Sequence, residues 1–442
     1  MANLIPFPGV LYDPEAVGDI REVVAPPYDV IDAEYQRALH SRHPQNVIRL
    51  ELGLDQPDDG PSQNRYSRAA GFLQEWLASG KLRRDPHPAI YLYTIEYRVP
   101  PGRSGTAPRV LKGFLSAVEL EEFGTGRIFP HENTRTSAKT DRLKLMEACR
   151  ANFSPIFSLY SDPEGGILSF LEKSVDTDKP RIDFRDDSGF GHRLWAIRDQ
   201  AVLEEVCAAL KPKPLFIADG HHRYETALTY RRLRREQMNA PQPIGSQPYD
   251  HVLMLFSSLE DPGLTVLPTH RVLRTPVPTA WDITNILREG FEIREFPFGS
   301  KTERRTRQRF IQALREQGHL GTAFGLARRG ASAYLLLDLR SSHRPGSTVP
   351  AQDRLDVSIL QNQVLNKLCP SETDQESIFY TKDDDEALDL VSQGTAEAAL
   401  LLNPTKVEEI RAVAAAGERM PHKSTYFYPK PLTGLVMNVM ES

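Results

Sequence analysis

Eight consecutive residues, Ile217-Ala218-Asp219-Gly220-His221-His222-Arg223-Tyr224, bring an acid, a glycine, two imidazoles and a guanidinium into one short stretch. A glycine lets the backbone turn sharply and come close to a ligand. Arg223 offers a planar fork of N–H donors matched to phosphate oxygens. His221 and His222 can donate to an anion or carry protons, because an unperturbed imidazole titrates near pH ~6.5. The flanks read as a buried strand over Lys213–Ala218 and an amphipathic helix from Tyr224 to Gln237. The connection Gly220–Arg223 then faces the unpaired N–H groups of a first helical turn, where the helix dipole favours an anion. A plain strand-turn-helix whose histidines only cap or pack is the competing reading. The density of chemically able side chains in the octet favours a phosphate grip.

Other stretches carry chemistry of their own. Phe129–Leu145 gathers His131, Glu132, Arg135, Lys139, Asp141 and Arg142. A zincin would need histidine where Arg135 stands, so that reading fails. On a loop before a helix starting near Thr140, Glu132 suits a general base and Arg142 a phosphate contact. Asp141 and Arg142 could equally form a surface pair worth little. In Ala25–Val30, two prolines make a rigid turn; Asp29 there suits a substrate amine or a divalent cation, and Tyr28 reads as packed inward. Arg49, on the strand-like run Asn46–Leu50, would match a substrate carboxylate. His270 and Arg271 stand at a strand edge and are further candidates for holding substrate. In Met420–Lys430, Lys423 and Ser424 read as anion contacts, with Tyr426, Phe427 and Tyr428 as core or pocket wall. The run Arg231–Arg235 reads as a solvated helix face.

The elements that must position these groups alternate short apolar runs with charged helical stretches, which predicts an α+β (mixed α/β) fold. Further strands are expected at Ala89–Tyr97, Arg109–Val118, His251–Phe256, Ser332–Leu337 and Ala398–Leu402. Helices are expected at Ala33–Leu39, Tyr66–Ala78, Thr140–Arg150, Leu203–Leu210, Thr306–Glu316, Val357–Leu368 and Val407–Ala414. Composition shifts divide the 442 residues into an N-terminal unit 1–162, a central unit 163–242 with the glycine-histidine loop, and a C-terminal unit 243–442. A net charge of −5 argues against a nucleic-acid partner, which would call for a basic domain. Three scattered cysteines form no disulfide or metal pattern and fit a reducing cytoplasm. The opening residues do not read as a signal peptide, and no apolar run is long enough for a membrane span. There is no GK[ST] phosphate loop, no GxGxxG after a strand and no GxSxG elbow.

Seven segments in one order, VAPPYDVI, NVIRLELG, FPHENT…DRL, ANFSPIFSLY, IADGHHRYETAL, DPGLTVLPTHRV and MPHKSTYFYPK, resemble the domain-of-unknown-function family 1015 over nearly the whole chain. Within them, ADGHHRY is similar to the DGHHR loop of ParB/sulfiredoxin-like free-serine kinases. That resemblance implies a ParB/sulfiredoxin-like core around the strand–DGHHR–helix unit. It implies phosphate gripped by Gly220, His222 and Arg223, Asp219 working at a reacting hydroxyl or a metal, and His131 and Glu132 within the site. The implied reaction is phosphoryl transfer to a small hydroxyl substrate, free L-serine first, with Mg²⁺ and with pyrophosphate or a nucleoside phosphate as donor. Such chemistry needs mainly positioning and charge neutralisation. Two other readings stay open: a ParB-like nucleotide-binding regulator without turnover, and a metal-dependent phosphoester hydrolase using His131, Glu132, Asp219 and His222. The expected partners are small molecules, and a homo-oligomer is left open.

Overall fold

The computed structural model describes residues 3–99, 107–124, 126–130, 136–238, 243–275, 277–278, 280–368, 378–421 and 423–440. The chain forms two compact units. The first comprises Met1–Pro130, Thr134–Thr265 and Pro429–Ser442; the second comprises Val266–Tyr428. The breaks expected after residues 162 and 242 both fall inside the first unit. Strands on either side of them hydrogen-bond in one sheet.

That sheet has nine strands among the described residues: β1 (Leu4–Ile5), β2 (Ile90–Tyr97), β3 (Arg109–Glu119), β4 (Ile128–Phe129), β5 (Ile156–Tyr160), β6 (Ile182–Arg185), β7 (Gly191–Ile197), β8 (Leu215–Asp219) and β9 (His251–Ser258). Their order is β4-β8-β5-β9-β3-β2-β7-β6, with β1 also on β3. β8 runs parallel to β4 and antiparallel to β5, and β9 runs parallel to β5, so the sheet is mixed. The helices used below are α1 (Ala33–Arg42), α2 (Ile48–Glu51), α3 (Arg65–Ala78), α4 (Thr136–Cys149), α5 (Gly166–Lys173), α6 (Gln200–Leu210) and α7 (His221–Glu236). Phe114, Ile156, Leu215, Ile217 and Phe256 of the sheet share a core with Leu171 of α5, Val206 of α6 and Tyr224, Ala227 and Leu228 of α7. Each large apolar side chain buried this way contributes about 1.5–3 kcal/mol, which fixes α7 on the sheet.

The second unit has its own sheet of six antiparallel strands: β10 (His270–Leu273), β11 (Phe291–Pro297), β12 (Ala323–Arg328), β13 (Ala333–Leu339), β14 (Ile378–Thr381) and β15 (Ala398–Leu402). They lie in the order β11-β13-β12-β15-β10-β14. Phe310 and Leu314 of α8 (Glu303–Leu320) and Leu388 and Val391 of α9 (Asp384–Ser392) complete its core.

Three local expectations change. The run Asn46–Leu50 is not a strand: fully buried Asn46 accepts from the Ile48 N–H and donates to the carbonyls of Glu22 and Val24, starting the short helix α2. The helix expected over Val357–Leu368 contains a π-helical stretch, Leu360–Leu365. The arginine run is not a solvated face: Arg231 is buried and donates to the Leu120 carbonyl and Glu122, and Arg235 forks onto fully buried Asp250. Among the described residues, no helix is long and apolar enough to cross a membrane.

Candidate active site

The end of β8 is shaped by a bulge. Its register against β5 shifts between Ile217 and Asp219, and an extra residue of this kind re-aims the side chain that follows. Gly220 then turns the chain alone, at φ +94°, a left-handed conformation that favours glycine. Helix α7 therefore begins at His221, and the Tyr224 N–H closes its first turn on the Gly220 carbonyl at 3.0 Å. The GHHR segment is thus one residue of turn plus the first turn of the helix, three residues earlier than expected. Arg223 folds back across Gly220, so close that a Cβ there would lie 3.0 Å from Arg223 Nε. Its fork donates to Asp219 Oδ2 at 2.7 Å and to the Pro155 carbonyl at 2.5 Å. Buried in this way, Arg223 clamps the acid beside it.

The other oxygen of Asp219 accepts from Lys430 Nζ at 2.9 Å, and Lys430 also donates to Asp29. Asp29 lies in the short turn Tyr28–Val30 after Pro26 and Pro27. Lys430 arrives on the segment that rejoins the first unit at Pro429. That segment is fastened by paired backbone bonds between Thr433 and Ala25, by the Gly434 N–H on the Phe153 carbonyl, and by Met437 against Val10. The side chains of Lys430, Asp219 and Asp29 keep 10%, 20% and 29% of their exposure, so the trio can meet a ligand. Burial pushes the Asp219 carboxyl up, but Lys430 and Arg223 outweigh it and hold the group well below the usual carboxylate range. Asp219 is therefore an ionised acceptor at any working pH.

A second cation frames the same place. Arg142 of α4 stacks over the Tyr28 ring at 4.3 Å. It donates to the Glu51 carbonyl at 2.8 Å, to Glu51 Oε1 at 3.1 Å and to Asp141 at 2.8 Å. Ser154 also donates to Glu51 Oε1, at 3.1 Å. Burial opposes the charge on Arg142, but Glu51 and Asp141 secure it. Burial pushes the Tyr28 phenol up to about 12, tempered by Arg223 and Arg142, so Tyr28 stays protonated and can donate. Behind these groups lies a small cavity of about 30 Å³ lined in part by Glu51, Arg142, Ser154, Arg223 and Thr226.

Of the residues expected from sequence, Asp29, Asp219, Gly220, His221, Arg223 and Arg142 thus belong to one neighbourhood of the first unit. His221 is buried there, while His222 is half-buried in the first turn of α7. Arg49 is engaged elsewhere in that unit, donating to the His40 carbonyl at 2.8 Å and lying over Phe72. His270, Arg271, Lys423 and Ser424 belong to the second unit. There His270 pairs with Asp384 at 3.0 Å, Arg271 donates to Thr269, the Lys423 carbonyl accepts from Thr269 and Arg271, and Ser424 donates to the Pro421 carbonyl. His131 and Glu132 lie outside the described residues. Sequence reasoning missed Lys430, Glu51 and the position of Tyr28 against Arg142. The signal for Glu51 was Asn46, whose side chain accepts from the Ile48 N–H at the start of the helix.

Among the described residues no group of three His, Cys, Asp or Glu side chains could hold a metal ion by itself. Mg²⁺ asks for less, because it is held by one or two carboxylates together with substrate phosphates. Asp29 and Asp219, converging on one ammonium, fit that demand.

A mixed α/β fold built around a strand–DGHHR–helix unit defines the class, and the family follows from the chain itself. It belongs to the proteins of unknown function grouped as DUF1015, whose family pattern matches residues 4–358. No curated protein matches it. Among solved structures, it is similar to a conserved hypothetical protein from Pyrococcus furiosus, at 15% identity and a TM-score of 0.33 over 70% of this chain and 90% of that one. It is also similar to a free serine kinase in complex with AMP, at 14% identity and a TM-score of 0.32 over 68% of this chain and 83% of the kinase. A third is SbnI with a C-terminal truncation from Staphylococcus aureus, at 12% identity and a TM-score of 0.35 over 72% and 85%. Likenesses this distant leave the activity to be read from the site.

Proposed function

We propose that the first unit is a small-molecule phosphotransferase, moving a phosphoryl group from pyrophosphate or a nucleoside phosphate to a hydroxyl, with free L-serine the leading acceptor. The observation that carries this reading is the meeting of Asp29 and Asp219 on Lys430 beside the N-terminus of α7. Phosphoryl transfer needs a cationic frame for the transferred group, an ionised acid for the attacking hydroxyl and little covalent chemistry. Lys430, His222 and the first-turn N–H groups of α7 supply the frame. Asp219, kept ionised by Lys430 and Arg223, accepts the hydroxyl proton or orients it. Tyr28 donates to a phosphoryl oxygen. Asp29 and Asp219 would hold Mg²⁺, whose contribution is neutralisation of donor charge.

The test is direct. Purified protein is incubated with L-serine, Mg²⁺ and, separately, pyrophosphate, ADP and ATP, and O-phosphoserine is measured by mass spectrometry. Product is expected with at least one donor. Asp219→Asn should lower turnover by roughly 10²–10⁴-fold. No product with any donor overturns the assignment, and thermal stabilisation by a single nucleotide without product would instead favour a regulator.

A further inference from the structure

We infer that Thr226 is a positioning residue: through one ordered water in the cavity behind the site, its hydroxyl fixes Arg223 and therefore Asp219. Thr226 follows Arg223 by three residues on α7, so the two side chains share a helix face. Thr226 is 1% exposed. A helical threonine commonly returns its hydroxyl to the carbonyl one turn back, as Thr229 does to Glu225 at 3.0 Å on this same helix. Thr226 does not. Its Oγ1 and Arg223 Nε are both buried without a hydrogen-bond partner in the protein. Both residues line the same cavity.

Two orphaned polar groups on residues that line one cavity are strongly disfavoured unless something answers them. The cavity measures about 30 Å³, more than the roughly 10–15 Å³ that one water needs and too little for a substrate. Glu51, Arg142 and Ser154 also line the cavity and bring the count of polar neighbours to what a buried water requires. Such a water accepts from the Arg223 Nε–H and donates toward the Glu51 carboxylate or Thr226 Oγ1. The Arg223 fork already holds Pro155 and Asp219. Securing Nε as well stops the guanidinium from swivelling, and it links the Asp219 clamp to the Glu51–Arg142 pair under Tyr28.

The kinetic part rests on the proposed phosphotransfer; the structural part does not. A high-resolution crystal structure of the full chain should show a water within hydrogen-bonding distance of Thr226 Oγ1 and Arg223 Nε. Thr226→Val keeps the shape and removes the hydroxyl. It should lower the melting temperature by roughly 2–4 °C. Thr226→Ser should restore it. With pyrophosphate and L-serine, Thr226→Val should lose about tenfold in kcat, since small misplacements of a reacting group are costly, with KM nearly unchanged. A dry cavity, or a valine variant as stable and as active as the parent, overturns the inference. Absence of phosphoserine with the native protein would sink the phosphotransfer alone, leaving the water and the stability difference as they stand.

Discussion

Replacing Lys430 by methionine keeps the apolar stem and removes the ammonium that joins Asp29 to Asp219. Each hydrogen bond between charged groups contributes about 1.5–3 kcal/mol, and Lys430 makes two. The partial exposure of all three side chains screens them, leaving about 2–3 kcal/mol for the loss at neutral pH. The pH dependence follows from Asp219. Its folded carboxyl is held below the ordinary range, so its ionised form stabilises the fold above the unfolded-chain pKa of about 3.9. That contribution is lost as pH falls through the depressed folded value. Without Lys430, burial is opposed mainly by Arg223 and the carboxyl titrates higher. The Lys430→Met deficit should therefore be complete at pH 7 and shrink as the solution passes below about pH 4. Urea unfolding of both proteins at pH 7, 5 and 3.5 measures it. A deficit of equal size at all three values, or none at pH 7, would refute the reasoning.

Three further outcomes are expected. Gly434 sits at φ +84° with room for no Cβ, since one would lie 2.8 Å from Val47 Cβ; Gly434→Ala should cost about 2–4 kcal/mol in thermal unfolding and displace the segment carrying Lys430. Glu51→Gln breaks a buried ion pair whose side chains are each 5% exposed, and should cost about 3–5 kcal/mol, much of it recovered when Arg142→Met is added. In the second unit, burial raises the Asp356 carboxyl to about 6, with Thr322 donating to it at 2.7 Å. A raised folded value means stability that is full below about pH 4 and lost as pH rises through about 6. Asp356→Asn should thus be roughly 2 kcal/mol more stable than the parent at pH 7 and no more stable at pH 4, as chemical denaturation would report.

How far the sequence can be read depends on whether a residue's partner is near in the chain. Ala398–Leu402 is an unbroken apolar run, and it is a buried strand inside the second sheet. The β8–Gly220–α7 unit was legible because its acid, glycine and helix are contiguous. The helix start was misjudged because Gly220 absorbs the whole turn in one left-handed residue. Five residues of apolar alternation could not separate strand from helix at Asn46–Leu50; the decision lies in distant carbonyls that Asn46 reaches. Lys423 and Lys430 look alike on paper, each basic and each beside the aromatics. Lys423 occupies a left-handed turn at φ +58° and supplies its carbonyl to Thr269 and Arg271, whereas Lys430 meets an acid 211 residues earlier in the chain. No spacing rule spans that distance.

The interruption of the first unit between Thr265 and Pro429 orders events at the ribosome. Asp29 and Asp219 emerge first, and Lys430 follows Asp219 by 211 residues. At about 5–20 residues per second, the nascent acids wait roughly 10–40 s for their cation, while the whole second unit is being made. During that interval the Pro429–Ser442 segment is absent from its place against Ala25, Phe153 and Val10. A chaperone that shields the unfinished sheet would have its longest window there, and a chain stalled before residue 430 would carry the acids without the ammonium that joins them.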